Sequence, residues 1–425
     1  MIHLRPKTKN IVCSTTVPTS KSETNRAFII QALSTVPIDI HNASTCSDSL
    51  ILKKLLEQIH NYQREGNFSD YICLDVGSCG TAMRFLTSYL SIQKGQYVLS
   101  GDTRMEDRPI GPLVDVLSLL GANIKYASKF GFPPLIITGV ELLQQVDDIK
   151  VDSSLTSQYL SSLVLIAPCI KNGIKITLPK FITSKPYLEM TLDIMRQAGI
   201  FYSISDNYIS IDNQEYKKSD ISINADWSSA SYWYSIAALS NQATIIIKNL
   251  NIASKQADKA VVDIMSEIGV ATTYRDSNII ITKSGNRKSF KTSIIDFTNY
   301  PDLAQTIIPC FAMLDYKVKF TGLHTLKIKE TDRIQAIKNE LKKLNYNVAS
   351  MPYSLKTYYS HKNLSYLQCH NQKGIIIDTY KDHRMAMAFA PLALKLGGIS
   401  IKDEGVVVKS YPEFWEDLKK IFIIH

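Results

Sequence analysis

Four times along this chain an apolar, helix-spaced segment stops at glycine or asparagine and runs directly into a strand-like stretch. No other feature limits the fold as much. The stops are Leu119-Leu120-Gly121-Ala122-Asn123-Ile124, Gln197-Ala198-Gly199-Ile200, Glu267-Ile268-Gly269-Val270 and Lys343-Leu344-Asn345-Tyr346-Asn347-Val348. Glycine, or asparagine in its stead, suits the left-handed residue that ends a helix. The stops lie 78, 70 and 76 residues apart in a chain of 425, which leaves room for roughly six such units. A period this long is a folding unit of a helix or two with a few strands, too large for a solenoid repeat. The expected fold is therefore α/β, with about six similar βα-rich units gathered into two or three globular domains, each with its own core.

Chemistry concentrates at the entrances to helices. Lys329-Glu330-Thr331-Asp332-Arg333 packs two cations and two carboxylates into five residues. Ile334, Ile337, Leu341 and Leu344 follow at offsets of three and four, so the cluster sits at a helix N-terminus, where anions are favoured. The plainest reading makes Thr331 the N-cap, with Asp332 complementing the dipole. A second cluster, Asp382-His383-Arg384-Met385-Ala386-Met387, again opens an apolar helical run. Three further segments join Lys or Arg to hydroxyls or glycine at loop-to-helix junctions: Ser20-Lys21-Ser22-Glu23-Thr24-Asn25-Arg26, Gly77-Ser78-Cys79-Gly80-Thr81-Ala82-Met83-Arg84 and Arg104-Met105-Glu106-Asp107-Arg108-Pro109. The glycine loop lacks the Gly-Lys-Ser/Thr ending of a nucleotide P-loop and the G-x-G-x-x-G spacing of a dinucleotide site, so ATP and NAD are not expected. Its glycines still allow backbone N–H groups to approach an anion. Thr81 would open a helix burying Met83, Leu86 and Leu90.

Composition agrees with an enzyme that handles small anions. The net charge is +9, but the basic residues come singly or as doublets such as Lys53-Lys54 and Lys342-Lys343, without the dense stripe of a nucleic-acid binder. Seven cysteines form no Cys-x-x-Cys pair and eight histidines show no His-x-x-x-His spacing, which argues against a disulfide framework and against a metal site. No charged-then-apolar leader opens the chain. The apolar run Leu163 to Ala167 is stopped by Pro168, far short of the ~20 residues a membrane helix needs. A cytoplasmic protein is the expectation. No heptad run or apolar stripe suggests an oligomer, so a monomer is expected.

In order, these motifs resemble the 5-enolpyruvylshikimate-3-phosphate (EPSP) synthase family of enolpyruvyl transferases. The resemblance runs from Lys21 to Lys409. It is carried by Ser20-Lys21-Ser22 with Asn25-Arg26, Gly80-Thr81-Ala82-Met83-Arg84, Arg104-Met105 through Arg108-Pro109-Ile110-Gly111, and Ser157-Gln158-Tyr159. It continues through Ser184-Lys185-Pro186-Tyr187, Pro301-Asp302, Lys329 to Arg333, Asp382 to Met387, and Lys409 before Tyr411-Pro412. The resemblance implies two similar domains, each of three βα-rich units in an inside-out α/β barrel, with the active site in the cleft between them, closed by substrate binding. It places residues 1–18 and 225–425 in one domain and 19–224 in the other, with crossings near 19 and 225. It implies transfer of the enolpyruvyl (1-carboxyvinyl) group of phosphoenolpyruvate to the 5-hydroxyl of shikimate 3-phosphate. Addition gives a tetrahedral intermediate and elimination releases phosphate, a step of the shikimate pathway toward chorismate and the aromatic amino acids. No metal or organic cofactor is implied, and the partners are the two small-molecule substrates, with no nucleic acid or membrane.

The same resemblance implies roles. Phosphoenolpyruvate brings a phosphate and a carboxylate, which call for converging cations: Lys21, Arg108, Arg333, Arg384 and Lys409, with Gly80 and Gln158. For shikimate 3-phosphate the implied residues are Lys21, Ser22, Arg26, Thr156, Ser157, Gln158, Ser184, Tyr187, Asp302, Thr325 and Lys329. The reaction needs a base for the hydroxyl, an acid for the methylene carbon and cations for the leaving phosphate. Asp302, Lys329 and Glu330 are the proton carriers, with their individual parts left open, and Lys21 serves the leaving group. Crowding by arginines would lower the pKa of Lys329. His383 beside Asp382 reads more as a structural partner than as an assistant in catalysis. The sequence departs from the usual pattern at Thr19, Ser78-Cys79, Phe85 and Thr156 without losing a charge. Two rival readings are the related transferase acting on UDP-N-acetylglucosamine, which uses a loop cysteine, and a non-catalytic anion-binding protein on the same scaffold.

Overall fold

The computed structural model of the chain describes residues 1–144, 149–151, 157–179, 182–205, 207–285, 292–351, 354–359 and 374–425. It forms two compact units, Met1–Pro18 with Asn224–His425 and Thr19–Ile223. Each unit has its own hydrophobic core. Among the described residues no helix is long and apolar enough to cross a membrane.

One sheet shows the repeating unit. In unit Thr19–Ile223 strand Ile72–Asp75 lies parallel to Gln96–Ser100, which pairs antiparallel with Leu135–Thr138, which pairs antiparallel with Asn123–Tyr126. The first strand is thus parallel to the second, and a hairpin formed by the third and fourth closes on the second. The same order recurs in the sheet of Ile149–Lys150, Ile174–Thr177, Tyr208–Ile211 and Ser203–Ile204. The other unit repeats it three times. One sheet is Ile294–Asp296, Lys319–Thr321, Ser354–Tyr359 and Tyr346–Met351. In the other two, N-terminal strands complete sheets built from the far end of the sequence. Asn10–Thr16 runs parallel to Gln242–Lys248, and Ile2–Pro6 lies between Ile399–Ile401 and Phe422–Ile424. A sixth, two-stranded pair joins Ile38–His41 to Ser219–Ser222 in parallel. Among the described residues five four-stranded sheets and one two-stranded sheet are present.

The four helix stops occupy one position in this scheme. Gly121, Gly199, Gly269 and Asn345 all have left-handed backbone, with φ of 93°, 80°, 92° and 62°. Each sits between a helix and the third strand of its sheet, which is why their spacing reports the size of the unit. The carbonyls left over at the helix ends are taken by the returning chain: the Ala122 N–H donates to Leu117 O at 2.9 Å and the Ile200 N–H to Met195 O at 3.0 Å. In the fifth sheet the helix Phe414–Leu418 reaches Phe422–Ile424 through Lys419-Lys420-Ile421 without a glycine.

Each unit places three helices at its centre, buried on nearly every face. In one these are Lys21–Leu33, Gly80–Ile92 and Ser157–Ile166; in the other, Trp227–Leu239, Ala304–Met313 and His383–Phe389. The three pack on one another, and amphipathic helices such as Ser47–Glu65 and Arg333–Lys343 are more exposed. Small hydroxyl residues let the central helices approach while satisfying one another: Ser88 and Ser162 meet at 2.6 Å, Ser231 and Thr306 at 3.0 Å. The chain enters its central helices immediately after the boundaries between units, through N-caps Ser20 and Asp226.

The Gly121 stop isolates a backbone effect, because a Cβ there would meet nothing within 4 Å. Gly121→Ala should lose about 1–2 kcal/mol, the usual penalty for a left-handed L-residue, seen as a lower midpoint in urea. An unchanged midpoint would mean that the stop does not depend on the left-handed conformation.

Candidate active site

The first turns of the central helices carry the charged motifs. In unit Met1–Pro18/Asn224–His425, Asp382 caps its helix through the Arg384 N–H at 2.9 Å, and Asp226 caps the helix Trp227–Leu239 through Ser229. Asp302 lies on the turn Pro301–Leu303 that runs into Ala304–Met313. These ends meet, with Arg384 Nη2 2.9 Å from Asp302 Oδ2 and 3.4 Å from Ser228 Oγ.

Arg333 organises the remaining charges. It is 1% exposed and the first residue of the helix Arg333–Lys343. Its Nε donates to Asp382 Oδ2 at 2.7 Å, Nη1 to Asp302 Oδ1 at 3.0 Å, and Nη2 to Glu330 Oε2 at 2.8 Å and Asp382 Oδ1 at 3.4 Å. Among the described residues those bonds use four of the five guanidinium N–H groups. The N-cap here is Asp332, which accepts from the Gln335 N–H at 3.0 Å, and not Thr331 as the sequence suggested. The carboxylate wins because it satisfies an orphan amide and opposes the helix dipole in one contact.

Lys329 lies 3.7 Å from Asp302, and Lys409 3.9 Å from Glu330. Burial alone would raise the Asp302 pKa, but Arg384, Lys329 and Arg333 outweigh it and hold the carboxyl far below the usual range. The His383 ring is buried with Nδ1 3.5 Å from Asp382 Oδ1. Thr325 is buried and its hydroxyl has no hydrogen-bond partner among the described residues.

Unit Thr19–Ile223 shows a different electrostatic pattern. The caps of its first two central helices are uncharged: Ser20 accepts from the Glu23 N–H at 3.3 Å, and Cys79 Sγ from the Ala82 N–H at 3.4 Å. Lys21 pairs with the buried Asp48 at 3.0 Å. Among the described residues the hydrogen-bond acceptors of Arg26 are neutral oxygens: Nη1 donates to Ser22 O at 2.8 Å, Nε to Thr191 Oγ1 at 2.6 Å, and Nη2 to Ser161 Oγ and Tyr187 O at 3.3 Å each, while the carboxylate of Glu23 acts on it through space. Phe85 lies 5.4 Å beneath the guanidinium. Burial pushes the Arg26 pKa down to about 10, so the cation persists at neutral pH.

Gly80 allows a further close approach. A Cβ at this position would fall 2.6 Å from Arg108 Nη1 and 2.7 Å from its Cζ, so the guanidinium lies flat on the glycine. Arg108 is buried and its Nε has no hydrogen-bond partner among the described residues. Gln158 Nε2 donates to Thr81 Oγ1 at 3.1 Å, joining two central helix entrances. Ser157 is buried beside it. Ser184 holds a left-handed conformation, φ 59°, at the start of the helix Lys185–Gln197, with Tyr187 in its first turn. Thr156 lies outside the described residues.

The structure therefore brings Asp302, Lys329, Glu330, Arg333, Arg384 and Lys409 together in one unit. In the other it groups Gly80 with Arg108, Gln158 with the Gly80–Ile92 entrance, and Arg26 with Ser22 and Tyr187. Sequence reading missed Asp48 and Asp258, acids outside the charged runs that become notable only when folding buries them beside one.

The fold is that of solved enolpyruvyl transferases. It matches EPSP synthase from Acinetobacter baumannii with a TM-score of 0.75 at 22% identity, covering 100% of this chain and 99% of that one. It matches the enolpyruvyl transferase NikO from Streptomyces tendae at 0.73 and 14% identity, covering 100% and 98%. The chain belongs to the EPSP synthase (3-phosphoshikimate 1-carboxyvinyltransferase) family, whose sequence profile matches residues 6–418. It is 41% identical to the 3-phosphoshikimate 1-carboxyvinyltransferase of Bacteroides fragilis strain YCH46, over 99% of this chain and 98% of that protein. To the enzyme of the same name from Methanospirillum hungatei it is 33% identical, over 97% and 96%.

Because Arg333 answers three carboxylates with a rigid fork, lysine cannot replace it. Arg333→Lys keeps the charge but leaves carboxylate hydrogen bonds unmade and should cost about 1–3 kcal/mol, the range for a buried polar group left unsatisfied, read as loss of stability in urea. A loss below 1 kcal/mol would show that the cluster does not depend on the fork.

Proposed function

We propose that this protein transfers the enolpyruvyl group of phosphoenolpyruvate to the 5-hydroxyl of shikimate 3-phosphate, releasing phosphate, as a cytoplasmic enzyme. The full-length family match carries this reading, and the charge layout supports it. The substrates are two small polyanions, and the chain offers two sets of cations at the entrances of buried helices.

Arg26 fits a carboxylate of shikimate 3-phosphate, since it is a buried cation whose hydrogen-bond acceptors among the described residues are neutral oxygens. Ser22, Ser157, Ser184 and Tyr187 lie at the same helix entrances and fit the phosphate, the hydroxyls and the ring. Arg108 with Gly80, and Arg384 with Lys409, fit phosphoenolpyruvate, with Gln158 beside the glycine loop. Arg333 contributes chiefly by fixing Asp302, Glu330 and Asp382.

We assign proton movement to Asp302, Lys329 and Glu330. Asp302 is ionised and accepts a hydrogen bond from the attacking hydroxyl; Lys329 lies 3.7 Å away, near enough to share its proton traffic. Thr325 fits a substrate hydroxyl, and Lys21 the charge that develops on the departing phosphate. The sugar-nucleotide reading requires a mobile loop cysteine. Cys79, the one that lies in a motif, is fully buried and occupied as a helix cap.

Phosphate release should require both phosphoenolpyruvate and shikimate 3-phosphate, with no release when UDP-N-acetylglucosamine replaces the latter. Asp302→Asn should lower kcat on the order of a hundredfold or more, typical for loss of a proton-handling group. Release with the sugar nucleotide alone would transfer the assignment to the sister activity, and release with neither would remove it.

Glyphosate, which competes with phosphoenolpyruvate in enzymes of this type, should inhibit because Gly80 is present. Gly80→Ala should weaken that inhibition and raise the KM for phosphoenolpyruvate, since the added methyl displaces Arg108. Unchanged inhibition in the variant would dissociate Gly80 from this pocket.

A further inference from the structure

One buried acid close to this machinery has no part in the roles above. Asp258 sits on the short turn Ala257–Ala260 and is 2% exposed. One of its oxygens accepts from the Ser228 hydroxyl. The other, Oδ1, is buried with no hydrogen-bond partner among the described residues. Ser228 in turn lies 3.4 Å from Arg384 Nη2, the nitrogen that also meets Asp302 at 2.9 Å. The chain Asp258, Ser228, Arg384, Asp302 is therefore continuous, and the Ser228 oxygen can accept from Arg384 while its single proton goes to Asp258.

We propose that Asp258 is a positioning residue for Arg384, acting through the Ser228 hydroxyl to hold the guanidinium where it receives phosphoenolpyruvate. The proposal rests on the enolpyruvyl transfer reading above. Its physical basis is a shortage of positive charge. Asp302 already takes the near end of Arg384, and Asp226, the cap of the adjoining helix, adds another carboxylate. Lys259, next in sequence, turns away to bond the Ile252 carbonyl, and Asp263 follows on the next helix. An ionised Asp258 would be a buried charge short of a cation, which is costly. Burial, reinforced by the Asp302 charge, pushes its pKa up to about 7 despite the opposing pull of Arg384. Neutral Asp258 leaves the positive field of Arg384 available to the substrate. Ionised Asp258 competes for it.

The sign follows from the raised pKa. Below about pH 7 Asp258 is neutral and phosphoenolpyruvate binds well; as pH rises through that value binding weakens. The fold loses stability in the same direction, because the unfolded chain gives up this proton near the usual carboxylate value.

The test is phosphate release with both substrates from pH 6 to 9, for the intact protein and for Asp258→Asn, Asp258→Ala and Ser228→Ala. In the unaltered protein the KM for phosphoenolpyruvate should rise on the order of tenfold across the Asp258 titration, the scale of one added charge at close range. Asp258→Asn keeps the neutral shape and should flatten that rise. Asp258→Ala and Ser228→Ala should each raise the same KM several-fold at pH 6.5 and leave the KM for shikimate 3-phosphate within twofold. If Asp258→Ala does not fold, the other two variants decide the question. An Asp258→Asn profile that follows the unaltered protein, or a Ser228→Ala change that moves both KM values alike, would overturn the proposal. Unaltered protein that releases no phosphate would instead overturn the activity on which the proposal rests.

Discussion

Three buried helices with adjoining N-termini set the character of each unit. A helix N-terminus carries roughly half a positive charge and several unpaired N–H groups, so bringing such ends together deep in a protein creates a demand for anions. For Gly80–Ile92, Ser157–Ile166, Ala304–Met313 and His383–Phe389 the βαβ connection supplies the direction, since a helix between parallel strands must run back against both. Packing on every face removes the freedom of these helices to present their ends elsewhere. The candidate site thus follows from the architecture at the level of the repeat.

The two units answer the same demand differently. In one, Asp226, Asp302 and Asp382 supply built-in negative charge, and Arg333, Arg384, Lys329 and Lys409 are laid over it. The result is a dense network of paired charges in which removing one member strands several others. In the other, the caps Ser20 and Cys79 are uncharged, the first turn of Lys21–Leu33 carries Glu23, and Arg26 hydrogen-bonds to neutral oxygens. A single scaffold thus carries one set of helix entrances rich in carboxylates and cations and one whose first two caps are uncharged.

The helix stops show how far local signals reach. Gly121, Gly199, Gly269 and Asn345 were readable because left-handed backbone has a strong residue preference, and their spacing reported the unit before any sheet was known. The sheet of Ile376–Ile377, Ile399–Ile401, Phe422–Ile424 and Ile2–Pro6 escaped that reading. Its helix ends without glycine, and its last strand comes from the other end of the chain. The Thr331 expectation failed as well. Threonine and aspartate are both good caps, and the Asp332 carboxylate, which accepts from the Gln335 N–H three residues on and also complements the helix dipole, holds the position.

What the sequence determined by itself was the kind of unit, the approximate number of units and the residue types at their helix entrances, because each depends on local backbone preference or on contiguous motifs. Tertiary structure decided which charges answer one another. Arg333 became a hub for Asp302, Glu330 and Asp382 only when segments 49 and 31 residues away were folded onto it. Asp48 and Asp258, isolated acids in the sequence, gained significance from burial beside Lys21 and Arg384. Electrostatic energy depends on distance and on the exclusion of water, and folding alone sets both.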